Sequence, residues 1–307
     1  MTDRTEMDAL NARIVHELRG QPSVREVPVE TLRQEREEGR SVFGPLHRSN
    51  RAVDDRVPTP LGDIPIRVFT PDGERRGVYI HFHGGGWVLG GTHHQDPRLE
   101  QLSDESGQVV VSVGYRLAPE HPHPAGPDDC EAAAVSILER AESRFGATRF
   151  TMGGESAGAH LALVTALRLR DRHGITNLRA LNLLYGVFDL RLTPSARLFG
   201  NGPQVLATDS MRWFIERFAS GADLDDPDVS PLLADLTGMP PAIFTVGTND
   251  PLLDDTLFMH QRWQAAGLES LIRIYPDAPH AFDAFGVSVS ADAHHRINTF
   301  LKARLLD

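Results

Sequence analysis

Short apolar runs separated by longer helical stretches constrain the possible folds of this chain more than any other feature. Residues 78–82 and 109–113 are nearly continuous apolar runs, as expected of strands buried on both faces. A helical segment over about 127–145, a strand over about 148–153 and a second helix over about 157–170 follow. Residues 181–185, 242–246 and 271–275 supply further strands, and a helix over about 254–267 lies between the last two. Strand and helix thus alternate through most of the chain. That order specifies an α/β fold: a mostly parallel central sheet with helices on both faces. At the sheet's leading edge, residues 52–57 and 64–69 flank Pro60-Leu61-Gly62-Asp63, a turn signal that predicts a hairpin.

Two segments stand outside the alternation. Residues 1–50 read as helical, with Leu10, Ile14, Val15 and Leu18 near helical spacing, and end in a mixed-charge run over 33–40 that reads as a solvated helix face. Residues 190–222 are loop-rich around Gly200-Asn201-Gly202-Pro203, with one amphipathic helix near 211–218. The expected organisation is therefore an N-terminal helical part of a cap (1–50), a first catalytic part (51–189), a cap insertion (190–222) and a second catalytic part (223–307). Leu10, Ile14 and Leu18 are expected to pack on the insertion around Trp213, Phe214 and Phe218, and so roof the site.

Composition narrows the partners. With 42 acidic against 31 basic residues the net charge is −11, which argues against nucleic acid or an anionic membrane surface. No apolar run approaches the roughly 18 residues of a membrane span, and the N-terminal residues show no secretory h-region. Cys130 is the only cysteine, so no internal disulfide forms. Its place at the start of an alanine-rich helix reads as a buried, inert thiol. These features describe a soluble, cytoplasmic protein.

The chemistry concentrates in two glycine-rich turns. Gly154-Glu155-Ser156-Ala157-Gly158 lies between a strand and a helix, the context in which G-x-S-x-G holds a nucleophilic serine on a sharp turn. The glycines leave room for that turn, and the helix N-terminus favours a developing anion. His83-Gly84-Gly85-Gly86-Trp87 follows directly on another strand. Its bare backbone lets N–H groups of Gly84, Gly85 or Gly86 approach a substrate oxygen and, with the Ala157 N–H, form an oxyanion hole. Phosphate-loop spacing is absent. Trp87 has two readings of equal weight, core residue and pocket wall.

A serine hydroxyl needs a base, and the base a carboxylate to orient it. In the chain order Ser, Asp, His, the candidates are Asp250 and His280, each in a loop beyond a strand's C-terminal end. His93, His94, His121, His123, His160, His260, His294 and His295 compete on paper, but His160 sits one turn into the elbow helix and His294-His295 in the last helix. Asp254 and Asp255 open a helix, where acidic groups suit the dipole. No spacing around His93, His94 and Asp96, or around His121 and His123, supports a metal site, so none is expected.

These motifs, together with Tyr115-Arg116-Leu117-Ala118-Pro119-Glu120-His121-Pro122, residues 228–236 with Met239-Pro240-Pro241, Asp250-Pro251-Leu252-Leu253-Asp254-Asp255 and His280-Ala281-Phe282, occur in one order across about 50–305. In that combination the chain resembles the bacterial carboxylesterases related to hormone-sensitive lipase, of the α/β-hydrolase fold with a helical cap. The resemblance implies Ser156 as nucleophile, Asp250 as acid and His280 as base, with oxyanion donors from the glycine loop and Ala157. It implies no cofactor. Tyr115 to Glu120 is expected to brace the loop beneath the site. Glu155 stands where many relatives carry Asp or Thr, Ala281 where Gly is usual, and 186–188 where Pro is frequent. Trp87, Glu155, Phe188 and Phe214 are the candidate pocket residues. The implied activity is hydrolysis of short- to medium-chain carboxylic esters, small molecules all. Amide hydrolysis or acyl transfer on the same triad are alternatives, as is a silent receptor of the same fold. Some relatives dimerise near 271–275, so a homodimer is expected.

Overall fold

A computed structural model describes residues 4–306. The outermost ends of the expected boundaries, residues 1–3 and 307, lie outside the described residues. Eight strands form one sheet in the order β1-β2-β4-β3-β5-β6-β7-β8. They are β1 (Val53–Thr59), β2 (Gly62–Phe69), β3 (Gly77–Phe82), β4 (Gln108–Val113), β5 (Phe150–Glu155), β6 (Leu178–Leu184), β7 (Ala242–Asn249) and β8 (Ser270–Pro279). The first two form the expected hairpin, closed by Pro60-Leu61 with Thr59 opposite Gly62. β2 also pairs antiparallel with β4, and every other pairing is parallel.

The central strands β3, β4 and β5 are buried along their whole length, which explains why they read as apolar runs without alternation. Helices cover both faces: α3 (Asp96–Ser106), α4 (Ala125–Phe145), α5 (Ala157–His173), α8 (Leu253–Ala265) and α9 (Ser288–Ala303). Residues 157–169 of α5 are buried on every side, so this helix shows little amphipathic pattern. Cys130 is fully buried in α4, and burial pushes its thiol far above the ordinary range, as an inert cysteine requires.

β3 has β4 on one side and β5 on the other. The connections therefore leave in opposite directions at this point, and the crevice beyond the C-terminal ends of β3 and β5 is where such sheets place a site.

The N-terminal segment departs from expectation. It holds two helices, α1 (Arg4–Leu18) and α2 (Val29–Glu37), and no helix between Glu37 and β1. Pro28 caps the start of α2. Beyond its end, Gly39 at φ 72° packs so closely on Pro45 that a Cβ there would lie 2.7 Å from the Pro45 backbone. The expected roof is also built differently. Met7, Leu10 and Ile14 pack with Tyr275, Phe282 and Val289, and Leu18 packs against that cluster. Trp213 and Phe218 belong to the other core. The insertion contains a short α6 (Pro194–Leu198) as well as the expected helix, α7 (Thr208–Phe218).

The tightest contact lies where α5 crosses β3. A Cβ on Gly154 would meet the Phe82 carbonyl oxygen at 2.2 Å, and one on Gly158 would also collide with it. Neither neighbour is a flexible side chain, so Gly158→Ala is expected to destabilise the fold by about 3 kcal/mol, the upper end for overpacking. Gly202→Ala, at a position with open space around it, is the control and should be neutral within about 0.5 kcal/mol. Denaturant titration of the two variants beside the parent checks this, and equal midpoints would refute the assignment of Gly158 as a packing constraint.

Candidate active site

Ser156 is the single residue between β5 and α5, at φ 55° and ψ −121°, a backbone geometry strained for any residue with a side chain. Its N–H donates to the Leu184 carbonyl at 2.9 Å, which ties the turn to β6. The Ser156 hydroxyl lies 3.1 Å from His280 Nε2, and His280 Nδ1 lies 2.9 Å from Asp250 Oδ2. A carboxylate only accepts, so Nδ1 carries a proton and Nε2 presents its lone pair to the serine. Asp250 follows β7 and His280 follows β8, and the second Asp250 oxygen accepts the Leu252 N–H at 2.8 Å. Three residues that are far apart in sequence therefore meet at the C-terminal edge of the sheet.

The glycine loop after β3 faces this array. Gly84 is the correction here: its N–H donates to Glu155 Oε1 at 2.7 Å and is not free to meet a substrate. The N–H groups of Gly85, Gly86 and Ala157 have no hydrogen bond to other described groups. Gly86 must be glycine because the Phe214 ring of α7 lies where its Cβ would stand, 2.3 Å away. The Tyr115 hydroxyl donates to the His83 carbonyl at 2.7 Å, their rings stack at 4.3 Å, and Ala118 N–H donates to the Trp87 carbonyl. The segment after β4 thus braces the loop, as expected.

A cavity of about 270 Å³ opens above Ser156 and His280. Trp87, Glu155 and Phe214 line it. Trp87 combines both of its readings, since its largely buried ring also stacks on Phe218 at 4.4 Å and donates from Nε1 to His160 at 3.1 Å. Burial pushes His160 down to about 4. His160 is thus a neutral core residue and no rival to His280. Phe188 does not line the cavity: its ring folds over Gly186 into the core. The cause is Asp255, which accepts the N–H groups of Phe188 and Asp189 and the Thr193 hydroxyl, and so turns that segment inward.

Sequence reasoning missed the rest of the wall. Leu32, Arg36 and Phe43 line the cavity beside Met211 and Ile215. The charged run over 33–40 is therefore not simply a solvated face. Arg33 donates to the carbonyls of Val88 and Ala118 and to both Glu120 oxygens. Also missed was a buried polar layer under the site. The Tyr185 ring meets the His280 ring edge-on at 4.7 Å, and its hydroxyl donates to Asp283. Arg98 lies between Glu155 (3.5 Å) and Asp283 (3.7 Å). Trp87, Ser156, Tyr185 and Ala281 all hold positive φ around the site, strain that the surrounding packing maintains.

The α/β-hydrolase fold family matches residues 79–284, which is more than half of the chain. The chain is 31% identical over 255 residues to an acetyl esterase of Salmonella choleraesuis, covering 81% of this chain and 79% of that one. The chain belongs to the hormone-sensitive-lipase-like carboxylesterase family. To LipN of Mycobacterium tuberculosis, a carboxylic ester hydrolase, this family member is 36% identical over 240 residues, 75% of its own length and 64% of LipN's. A solved hyperthermophilic esterase from Pyrobaculum calidifontis superposes with a TM-score of 0.82 at 32% identity, covering 91% of this chain and 94% of that one.

Within this family member, Glu155 is the residue whose environment most affects the glycine loop. Burial pushes its carboxyl up to about 7, against the pull of Arg98 and of the Gly84 N–H. Glu155→Gln keeps an acceptor for Gly84, whereas Glu155→Ala removes it, so Ala should lower kcat/KM by about tenfold or more and Gln by much less. A raised carboxyl stabilises the fold while protonated. Its contribution is complete below 4.5, the ordinary value, and is lost as pH rises to about 7. Thermal melts of Glu155→Gln and the parent should therefore diverge in the variant's favour across that window, and a constant difference would contradict it.

Proposed function

We propose that this chain is a serine carboxylesterase that hydrolyses short- to medium-chain carboxylic esters through an acyl-enzyme intermediate. One observation carries the reading: the hydrogen-bonded series Ser156–His280–Asp250 opens into an apolar cavity facing three unengaged N–H groups. His280 Nε2 takes the Ser156 proton as Oγ attacks the ester carbonyl. Asp250 holds the imidazole in the productive tautomer and stabilises its charged form. The N–H groups of Ala157, Gly85 and Gly86 receive the developing oxyanion, a type of contact worth about 3–4 kcal/mol per donor. Collapse expels the alcohol, which leaves with the proton from His280. Water activated by the same imidazole then cleaves the acyl-enzyme and releases the acid. His280 carries each proton, one from Ser156 to the departing alcohol and one from water back to Ser156, and no step calls for a cofactor.

The names of the matched relatives support a small-molecule ester as substrate. Amide hydrolysis and acyl transfer use the same attack, so matched ester and anilide substrates separate them. We further propose that residues 24–43 and the insertion over 190–222 together form the cap. Phe43, Met211, Phe214 and Ile215, which line the cavity, would then limit the length of acyl chain it accepts. A homodimer fits the same reading, because β8 is an edge strand that exposes Leu271 and Ile274. Among the described residues, no helix is long and apolar enough to cross a membrane.

Ser156→Ala should lower kcat roughly 10⁵-fold or more while the circular-dichroism melt stays unchanged. Parent enzyme assayed on p-nitrophenyl esters should be fastest between acetate and hexanoate and slow on laurate. Turnover retained in the alanine variant, or a maximum at laurate, would sink the nucleophile or the cap assignment respectively. Light scattering at micromolar concentration tests the dimer, and a monomer mass refutes it.

A further inference from the structure

Away from the reacting atoms, the structure gathers three metal-ligating side chains that no sequence spacing links. Glu37 is the last residue of α2, and His93 and His94 lie in the turn before α3, more than fifty residues later. His93 Nε2 lies 3.0 Å and 3.1 Å from the two Glu37 oxygens, and His94 Nε2 lies 2.8 Å from Oε1. The ligand atoms of all three residues lie within 4.8 Å of one another. Asp96, weighed from sequence as their partner, points elsewhere and is held by Arg67.

We propose that Glu37, His93 and His94 bind one divalent transition-metal cation of the zinc type. Bond lengths of about 2.0–2.1 Å place the ligands of a tetrahedral zinc roughly 3.3 Å apart. The shorter histidine–glutamate separations, 3.0 Å and 2.8 Å, lie within about half an ångström of that edge, and all three ligand atoms lie close enough for side-chain adjustment to bring them onto one ion. The rings of His93 and His94 meet edge-to-face at 4.7 Å, and the Nε2 of each converges on Glu37 Oε1. Both imidazoles are mostly buried, whereas Glu37 is half-exposed, so the ion enters from the carboxylate side and keeps a position open to water. Two imidazoles and one carboxylate suit zinc, cobalt or nickel rather than the oxygen-seeking magnesium or calcium. On binding, each Nε2 now hydrogen-bonded to Glu37 would offer its lone pair to the ion, the neutral ring keeping its one proton on Nδ1 and any second proton passing to solvent.

The charges facing the cluster are Arg48, 3.4 Å from Glu37 on a side chain that is itself exposed, and Arg36 of α2. Arg48 can swing into solvent when the ion takes over the carboxylate. His94 and Arg36 line the cavity. A bound ion would therefore clip the end of α2 to the turn that follows the glycine loop, and fix one wall of the cavity. The alternative is a latch made only of hydrogen bonds, with both imidazoles donating to Glu37.

The test uses chelator-treated full-length protein titrated with zinc by calorimetry and with cobalt by visible absorption. Neither readout depends on ester hydrolysis, so the outcome stands apart from that of the proposed activity. The parent should bind one ion per chain and show cobalt bands of low coordination number. His93→Ala and Glu37→Gln should each weaken binding at least roughly tenfold, the effect that loss of even an outer-shell partner produces. Zinc should raise the thermal midpoint of the parent and not that of Glu37→Gln. A double variant, His294→Ala with His295→Ala, should bind as the parent does. Absence of stoichiometric binding, or undiminished binding by Glu37→Gln, would overturn the site. Because Glu37 is half-exposed, that variant reports even if His93→Ala folds poorly.

Discussion

Two pieces of main chain press together at the centre of this molecule. The Phe82 carbonyl occupies the space that a Cβ on either Gly154 or Gly158 would need. That approach brings the end of β3 against the start of α5, so the two turns that leave them share one crevice. One turn carries Ser156, and the other carries the glycine loop. Their separation is therefore set by backbone packing, which is stiffer than any side-chain contact. The strained φ of Ser156 persists for the same reason. Glu155, between the two, hydrogen-bonds across the gap to Gly84 and leaves the next two N–H groups facing the cavity.

A second set of contacts joins the N-terminal segment to this centre. Arg33 reaches the Val88 and Ala118 carbonyls and the Glu120 carboxylate, and so spans the glycine loop and the segment that braces it. Arg25 pairs with Glu216 of α7. Exposed ion pairs of the second kind are worth only a fraction of a kcal/mol each. The Arg33 contacts are different, because two of them satisfy the carbonyls of the buried residues Val88 and Ala118. The cavity wall therefore combines this strip with the insertion, which is itself anchored by buried Trp213 and Phe218 and by the hydrogen bonds of Thr193 and Ser195 to Asp255 and Asp254.

The fold and the three residues of the candidate triad were legible in the sequence because their signals are local. A strand buried on both faces is an apolar run, and a sharp strand-to-helix turn must be bracketed by glycines. The order of Ser156, Asp250 and His280 follows from their places after β5, β7 and β8. Pocket residues were less legible, since a side chain's direction depends on partners far along the chain. Phe188 looked like pocket wall until Asp255, 67 residues on, was seen to hold its backbone. Residues 33–40 read as solvent-facing because nothing nearby in sequence reveals that Val88, Ala118 and His93 await them. The Arg98 layer was invisible for a related reason: isolated charges in a helix and in a turn carry no sign that they will be buried together.

The position of α1 matters for the order in which the protein is made. Its apolar side, Met7, Leu10 and Ile14, packs against Tyr275, Phe282 and Val289, and Asn11 donates to the Asp277 carbonyl across 266 residues. During synthesis α1 leaves the ribosome well before its docking surface, which emerges only with β8 and α9. Until then Met7, Leu10 and Ile14 lack that surface, a hazard of contacts between segments far apart in sequence. The same late event brings His280 to Ser156. The docking of α1 and the meeting of His280 with Ser156 thus depend on the same late-emerging stretch of chain.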